Sequence, residues 1–153
     1  ATSSSHDRYR SRVRQRPEVG GEFPMAILGD EILTPGEGQL RALIAVAGNM
    51  VLSMADGNHT EEALSNLDFM VSIDPYLNET TRFADVILPP AGPFEKQHYD
   101  LFYHTYDTIN WAKYSPTLFT SQGKVYTDYE IIGELMEGIR VKRESSFVKR
   151  LKI

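Results

Sequence analysis

The middle of the chain alternates between apolar runs and polar segments in a way that predicts parallel βαβ units. Three apolar runs of strand length end at or just before a glycine, an acid and a proline pair: residues 41–48, 69–73 and 86–88. Residues 60–66 have the composition of a helix, and residues 79–84 can form a shorter one. Continuous apolar runs are typical of strands buried on both faces of a parallel sheet. The order of segments therefore predicts an α/β fold, with a mostly parallel sheet and helices on both faces.

Helix boundaries are predicted from residues that suit the first turn. Residues 24–33 are predicted to form a short helix that begins with Pro24. Proline is favoured at the first position of a helix, because its missing N–H is not needed there. Thr60 is predicted to cap the helix over residues 60–66, since its hydroxyl group can accept a hydrogen bond from a free backbone N–H.

The clearest helical pattern covers residues 127–140. Thr127 and Glu130 have the spacing of a capping box at its start. Five apolar residues recur at helical spacing and form a stripe along one face: Ile131, Ile132, Leu135, Met136 and Ile139. We therefore expect this helix to bury that face against another part of the protein.

Two segments are predicted to be extended arms rather than parts of the compact domain. Residues 1–23 carry five arginines at alternate positions, which would face one side of an extended chain. Such a strip could contact phosphate or RNA, or it could be a solvated arm that packs on other parts of a larger protein. The aromatic-rich residues 99–114 could form a strand or an arm. The predicted boundaries are an arm over residues 1–23, a domain over 24–140 and a tail over 141–153. Two copies of the chain could associate through the exposed arms.

Composition narrows the functional classes. The chain has 153 residues, 41% of them hydrophobic and 24% charged, as expected for one globular domain. Its net charge of −5 argues against a nucleic-acid partner, and no apolar run is long enough to span a membrane. The absence of cysteine removes disulfides, thiol catalysis and cysteine-ligated zinc or iron–sulfur clusters. The first residue is not methionine, and we expect a piece of a longer protein.

The predicted strand ends are the candidate binding site, because ligands of open parallel sheets bind outside the carboxyl ends of the strands. Gly48 and Asn49 follow the first strand, and Asp74 follows the second. The G-x-G-x-x-G motif of nicotinamide dinucleotide sites is missing. A carboxylate could instead accept hydrogen bonds from the N1–H and 2-amino groups of guanine, a charge-assisted pair that adenine cannot offer. Asp74 could equally cap the turn that begins at Pro75.

Three segments carry a family resemblance: "GEGQLRALIAVAGNMVLS", "LDFMVSIDPYLNETTRFADVILPPAGPFEK" and "TDYEIIGEL". Together they resemble one domain of the dimethyl sulfoxide reductase superfamily of molybdenum oxidoreductases, which includes formate dehydrogenases and nitrate reductases. The shared pattern is a Gly-Asn pair after an apolar strand, a strand ending in Asp, an "ET" pair, an "ADV-LP" strand and a downstream "EK". The resemblance covers roughly residues 36–140.

The resemblance implies a nucleotide-binding-like third domain that holds one of two pterin guanine dinucleotides, which in turn bind molybdenum or tungsten. It places six residues at cofactor-contacting positions: Gly48, Asn49, Ile73, Asp74, Lys96 and Asp128. Asp74 would hold guanine, and Ile73 would line the base or ribose. Ordinary structural roles remain open beside these: a left-handed turn at Asn49, a solvated pair of Glu95 with Lys96, and an acid in a first helical turn at Asp128.

Departures from the family pattern limit what the chain could do alone. Met50 stands where proline usually follows the Gly-Asn pair, and "GPFEKQHYD" lacks the usual Trp-Gly. We recognise no metal ligand and no catalytic residue, so the isolated chain is expected to be inactive. The expected partners are the remaining domains of a prokaryotic parent oxidoreductase, in the cytoplasm, or in the periplasm if an export signal precedes the chain. A stand-alone nucleotide-binding or interaction domain is the alternative, and the parent's substrate stays open.

Overall fold

The computed structural model describes residues 6–100, 102–120, 123 and 125–151. The chain divides into two compact units, Ala1–Leu88 (unit 1) and Pro89–Ile153 (unit 2). This division falls inside the segment predicted as one domain, residues 24–140, and the predicted domain boundaries stay predictions.

Unit 1 begins with a β-hairpin instead of an extended arm. Strand β1 (His6–Arg10) pairs antiparallel with β2 (Pro17–Val19). Arg8 contacts the fully buried carboxylate of Glu18 at 3.1 Å within this hairpin. Because the chain turns after Arg10, the five arginines do not share one side, and the prediction of an extended arm is wrong here.

The turn of the hairpin is held by the first helix. After a single 3₁₀ turn, Met25–Ile27, helix α1 runs over Leu28–Leu33. Arg12 and Arg14 form ion pairs with Glu31 and Asp30 of this helix. The acids that neutralise the basic segment therefore lie within unit 1, and sequence spacing alone does not reveal such pairing.

The predicted parallel sheet is present. Its strands are β3 (Ala42–Val46), β4 (Phe69–Ile73) and β5 (Val86–Ile87), in the order β3–β4–β5 with β4 in the centre. The α/β class and the parallel pairing of all three strands are confirmed. The Asp85 carboxylate accepts a 2.7 Å hydrogen bond from the Met70 N–H and so fixes β5 against β4.

Helices α2 (Met50–Ser53) and α3 (Gly57–Ser65) connect β3 to β4 and cover one face of the sheet. The core between them consists of Ala45, Val51, Leu64 and Met70. On the opposite face of β3, Ile44 and Val46 are nearly half exposed. The expectation that β3 is buried on both faces is therefore wrong, because an apolar run does not show what covers each face.

The N-cap of α3 also differs from the prediction. Asp56 caps the helix by accepting a 3.0 Å hydrogen bond from the His59 N–H. Thr60 lies one turn inside, where its hydroxyl donates to the Asp56 carbonyl at 2.7 Å. Aspartate and threonine both suit the cap, and here the helix begins earlier than the predicted segment.

Unit 2 contains a short antiparallel pair, β6 (His98–Tyr99) with β7 (Tyr114–Ser115), and the long helix α4 (Asp128–Leu151). Glu130 accepts hydrogen bonds from both the N–H and the hydroxyl of Thr127, so the predicted pairing of these residues at the helix start is confirmed. The helix does not end near Arg140. Residues 141–151 contain no glycine or proline to stop it, so the predicted tail is helical in its described part.

None of the helices among the described residues is long and apolar enough to cross a membrane.

Candidate functional site

In unit 1, the carboxyl ends of β3 and β4 bring two of the predicted site segments together. The Ala47 N–H donates a 2.9 Å hydrogen bond to the Ile73 carbonyl, which extends the ladder by one residue. The chain then turns away through Ala47 and Gly48, with φ angles of 53° and 80°. Asn49 itself has φ of −98°, so the left-handed turn predicted as its ordinary role is wrong; Ala47 and Gly48 adopt that conformation instead.

The side chain of Asn49 is held at both ends of its amide. Its Oδ1 accepts a 2.9 Å hydrogen bond from the Thr80 hydroxyl, and its Nδ2 donates to the Glu79 carboxylate at 2.5 Å. The hydrogen bond from the Asn49 side chain lowers the pKa of the Glu79 carboxyl below its ordinary value, because it favours the ionised form. Asn49 is thus fixed in orientation at the edge of the sheet.

Asp74 is a buried carboxylate at the end of β4, with 5% of its surface exposed. Its Oδ1 accepts a 2.8 Å hydrogen bond from the Tyr76 N–H, which is the turn cap offered by the sequence as its ordinary role. Its Oδ2 has a 3.5 Å contact with Asn78 Nδ2, long for a hydrogen bond. A carboxylate can accept up to four hydrogen bonds, so Asp74 keeps capacity for further donors.

The loop after β4 contains buried polar residues beside the candidate site that are not among the six residues implied by the resemblance. Asn78 Oδ1 accepts hydrogen bonds from the N–H groups of Thr80 and Thr81, both at 3.0 Å. Both threonines are 1% exposed. Hydrogen bonds therefore run from Asn49 through Thr80 to Asn78, whose side-chain amide lies 3.5 Å from the Asp74 carboxylate. In the sequence, only the polar residues 78–81 after the strand indicate this arrangement, and their composition does not show which hydroxyl groups are buried.

Ile73 does not present its side chain at the surface of this edge, since it is 1% exposed. Gly48 is exposed, and a Cβ atom added there would have no neighbour within 4 Å. The open space at the strand ends therefore lies beside the Gly48–Asn49 turn.

In unit 2, Lys96 and Asp128 form an ion pair. Lys96 Nζ donates to Asp128 Oδ1 at 3.1 Å, and this hydrogen bond lowers the pKa of Asp128 below its ordinary value. Glu95 accepts instead from the Gly92 N–H at 2.9 Å, so the predicted solvated pair of Glu95 with Lys96 is wrong. Asp128 also lies in the first turn of α4, where an acid is favoured by the helix dipole.

The predicted residues thus form two groups, which are described separately. Gly48, Asn49 and Asp74 lie at the carboxyl edge of the sheet in unit 1, and Lys96 and Asp128 pair in unit 2. Among the described residues, no group of three or more His, Asp or Glu side chains is arranged to hold a metal ion.

Comparison with known proteins supports the resemblance seen in the sequence. The family model described as molybdopterin oxidoreductase matches residues 21–138. The chain is 31% identical over 142 residues to the F420-dependent formate dehydrogenase 1 subunit alpha of Methanococcus maripaludis, which covers 90% of this chain and 19% of that protein. It is 28% identical over 135 residues to the trimethylamine-N-oxide reductase of Pasteurella multocida, covering 80% of this chain and 16% of the relative.

A third relative is the assimilatory nitrate reductase catalytic subunit of Bacillus subtilis, 34% identical over 61 residues that cover 40% of this chain and 9% of the relative. The chain spans less than a fifth of the length of each of these three relatives. The match of the family model nevertheless extends over both units. The chain therefore belongs to the molybdopterin oxidoreductase family.

Proposed function

We propose that this chain holds the guanine end of a pterin guanine dinucleotide, as part of a larger molybdenum or tungsten oxidoreductase. The observation that carries the proposal is the buried carboxylate of Asp74 at the carboxyl edge of a parallel sheet. Ligands of open parallel sheets bind at this edge. Burial strengthens a charge-assisted hydrogen bond, since water does not compete for the carboxylate.

The residues of unit 1 fit the nucleotide end of such a cofactor. Guanine offers two adjacent donors, N1–H and the 2-amino group, and Asp74 retains acceptor capacity after its bond to the Tyr76 N–H. Gly48 leaves open space beside the strand ends. Asn49 is fixed by Thr80 and Glu79, so it can line that space in one orientation.

The residues of unit 2 enter the proposal through the family resemblance. Lys96 supplies a positive charge, and its pairing with Asp128 limits the freedom of the ammonium group. A lysine of this kind suits a diphosphate, which it would meet as a point charge. Ile73 would support the site from behind, because its side chain is buried.

The bound cofactor would supply electron or oxygen-atom transfer at its metal, and the chain would fix its position. In this proposal the metal ligand and the catalytic residues lie elsewhere in the larger protein. The relatives' names refer to formate, nitrate and trimethylamine N-oxide. We propose an oxidoreductase of this general kind as the parent, with its other domains as partners.

The test is the change Asp74→Asn in the 153-residue chain, with binding of guanosine and adenosine diphosphates measured by calorimetry. Asparagine replaces one acceptor oxygen with a donor amide that would face a guanine donor. We expect a loss of about 2–4 kcal/mol in guanine binding, which is roughly 30- to 1,000-fold, and no preference for guanine over adenine afterwards.

Asp68→Asn is the matched control, because Asp68 precedes β4 and lies at the opposite end of the same strand. This variant should bind guanosine diphosphate like the wild type. Should binding to wild type and Asp74→Asn be equal, Asp74 acts only as a turn cap and the proposal fails. In the full-length enzyme, Asp74→Asn should reduce guanine and molybdenum content together while the protein still folds.

A further inference from the structure

The loop after β4 is closed by its own hydrogen bonds, which hold Asn78 in place. The Asn78 N–H donates a 2.8 Å hydrogen bond to the Thr81 hydroxyl, and that hydroxyl donates at 3.0 Å to the Tyr76 carbonyl. The Tyr76 N–H in turn donates to the Asp74 carboxylate at 2.8 Å. Because Asp74 and Thr81 are both buried, the loop between them is anchored at its two ends.

Two backbone groups set the orientation of the Asn78 side-chain amide. Its Oδ1 accepts hydrogen bonds from the N–H groups of Thr80 and Thr81, both at 3.0 Å. Only the oxygen of an amide can accept, so these bonds assign Oδ1 and Nδ2, and a flipped amide would place donors against donors. The Nδ2 group, with its two donor hydrogens, is therefore presented on the side of Asp74.

Asn78 Nδ2 and the Asp74 carboxylate lie side by side without satisfying each other. The distance from Nδ2 to Oδ2 is 3.5 Å, beyond the usual limit of about 3.2 Å for an N–H···O hydrogen bond. Within the described part of the chain, Nδ2 makes no other hydrogen bond. A donor and a carboxylate with remaining acceptor capacity are thus adjacent at the carboxyl end of β4.

A donor beside a carboxylate matches the edge of a guanine base. That edge carries the acceptor O6 next to the donors N1–H and the 2-amino group. The inference rests on the proposed function, in which Asp74 accepts hydrogen bonds from both of these donors. We propose that Asn78 Nδ2 donates to O6 of the same base, so that two side chains contact three adjacent polar groups of guanine.

This contact makes Asn78 a specificity-determining residue at the position of the base that Asp74 does not reach. Adenine carries an amino group where guanine carries O6, so its donor would face the Nδ2 donor of Asn78. Two unpaired donors in a site closed to water weaken binding more than a missing contact does. Thr80 and Thr81 are positioning residues, because they hold the amide of Asn78 and do not contact the base.

Calorimetry of the 153-residue chain with matched nucleotides separates the two contacts. 6-Thioguanosine diphosphate replaces O6 with sulfur, a weaker acceptor, and keeps both donors. Inosine diphosphate keeps O6 and N1–H and lacks the 2-amino group. The preference for guanosine diphosphate over the thio analogue therefore measures the contact of Asn78, and the preference over inosine diphosphate measures that of Asp74.

Asn78→Asp removes the donor and keeps an oxygen that can accept from the same two N–H groups, so the loop should stay folded. We expect the wild type to prefer guanosine diphosphate over the thio analogue about tenfold, and the variant to lose that preference. The preference over inosine diphosphate should remain. The added charge repels all of these diphosphates alike, so it cancels from each ratio of affinities.

Asn66→Asp is the matched control, because it introduces the same change at the exposed C-cap of α3, which precedes β4. This variant should keep both preferences. Circular dichroism of each variant checks that it is folded. A loop role for Asn78 alone would weaken the binding of all the nucleotides equally and leave the ratios unchanged.

Three results would overturn the inference. A wild type that prefers guanosine over inosine diphosphate but binds the thio analogue equally well would show that no donor contacts O6, whether or not a variant folds. A preference that Asn78→Asp retains would place that donor elsewhere. A wild type that binds guanosine, inosine and adenosine diphosphates equally would remove the proposed function as well.

Discussion

The hydroxyl group of Thr80 donates a 2.9 Å hydrogen bond to the side-chain oxygen of Asn49. The same hydroxyl accepts a 3.0 Å hydrogen bond from the Val51 N–H at the start of α2. Thr80 follows β4 and Asn49 follows β3, so one buried hydroxyl group joins the loops of two neighbouring strands at the candidate site. The arrangement of this edge of the sheet depends on a residue that does not itself face a ligand in the proposed function.

Thr80→Val should destabilise unit 1, because valine keeps the shape but leaves the Val51 N–H and the Asn49 oxygen without their partner. We expect a loss of about 1–3 kcal/mol in the free energy of unfolding, measured by urea denaturation. Thr80→Ser keeps the hydroxyl group and should recover most of that loss. Equal stability of the valine and serine variants would show that the hydrogen bonds contribute nothing.

Gly48→Ala should cost about 1 kcal/mol in unfolding free energy. The cause is backbone strain alone, since φ is 80° and an added Cβ would meet no atom within 4 Å. The reverse change at the preceding residue, Ala47→Gly, relieves strain at φ of 53° and should cost little. A Gly48→Ala variant as stable as the wild type would mean that this turn is not held in the left-handed conformation.

Gly29→Ala should disturb the contact between α1 and α3. An added Cβ would lie 2.6 Å from the His59 ring, so the ring must move away from Asp30, which it contacts at 3.4 Å. We expect the free energy of unfolding, measured by thermal or urea denaturation, to fall by about 1–3 kcal/mol. The double variant Gly29→Ala/His59→Ala should recover part of it.

Gly133→Ala is the control for that change, because Gly133 is also helical but has no atom within 4 Å of an added Cβ. It should stabilise α4 by up to about 1 kcal/mol. If both glycine variants shift stability in the same direction, the close approach of His59 to Gly29 is not the cause.

The Lys96–Asp128 ion pair should make the free energy of unfolding depend on pH in the acidic range. Lys96 lowers the pKa of Asp128 below its ordinary value of 3.8, mainly by hydrogen bonding. The stabilisation is therefore complete above pH 3.8 and is lost as the pH falls through the lower pKa of the folded state. The pair is partly exposed, so we expect it to stabilise the folded protein by about 0.2–1 kcal/mol at neutral pH.

An NMR titration of the Asp128 carboxyl group measures this directly. Lys96→Met should raise the Asp128 pKa toward its ordinary value, whereas Lys113→Met, at an exposed lysine of unit 2, should leave it unchanged. An unchanged Asp128 pKa in Lys96→Met would show that the ion pair does not form in solution.

The parallel sheet could be predicted because each of its strands is marked by residues close together in the sequence. Each strand is a short apolar run with a clear terminator, and residues between the runs have helical composition. The capping pair of Thr127 and Glu130 was predictable for the same reason, since both partners lie within one turn. The strand-end position of Asp74 followed directly from the run that precedes it.

The features that were missed depend on contacts between distant residues. The hairpin at the start is held by Glu18, Asp30 and Glu31, whose pairing with arginines has no local signature. The burial of Thr80 depends on the loop after β3, which is far away along the chain. The exposed face of β3 could not be predicted either, because apolar composition does not show which neighbour covers a strand.

The parallel register of β3 and β4 also has a kinetic consequence. Two parallel strands cannot be joined by a tight turn, and here the chain passes through α2 and α3 before Asp74 lies near the Gly48–Asn49 turn. The entropy of closing that loop must be overcome before any contact across the edge forms. The carboxyl edge of β3 and β4 should therefore assemble late in folding, after α3 has formed. Pulse-labelled hydrogen exchange should show protection of the Ala47 and Val51 N–H groups appearing after that of the α3 amides.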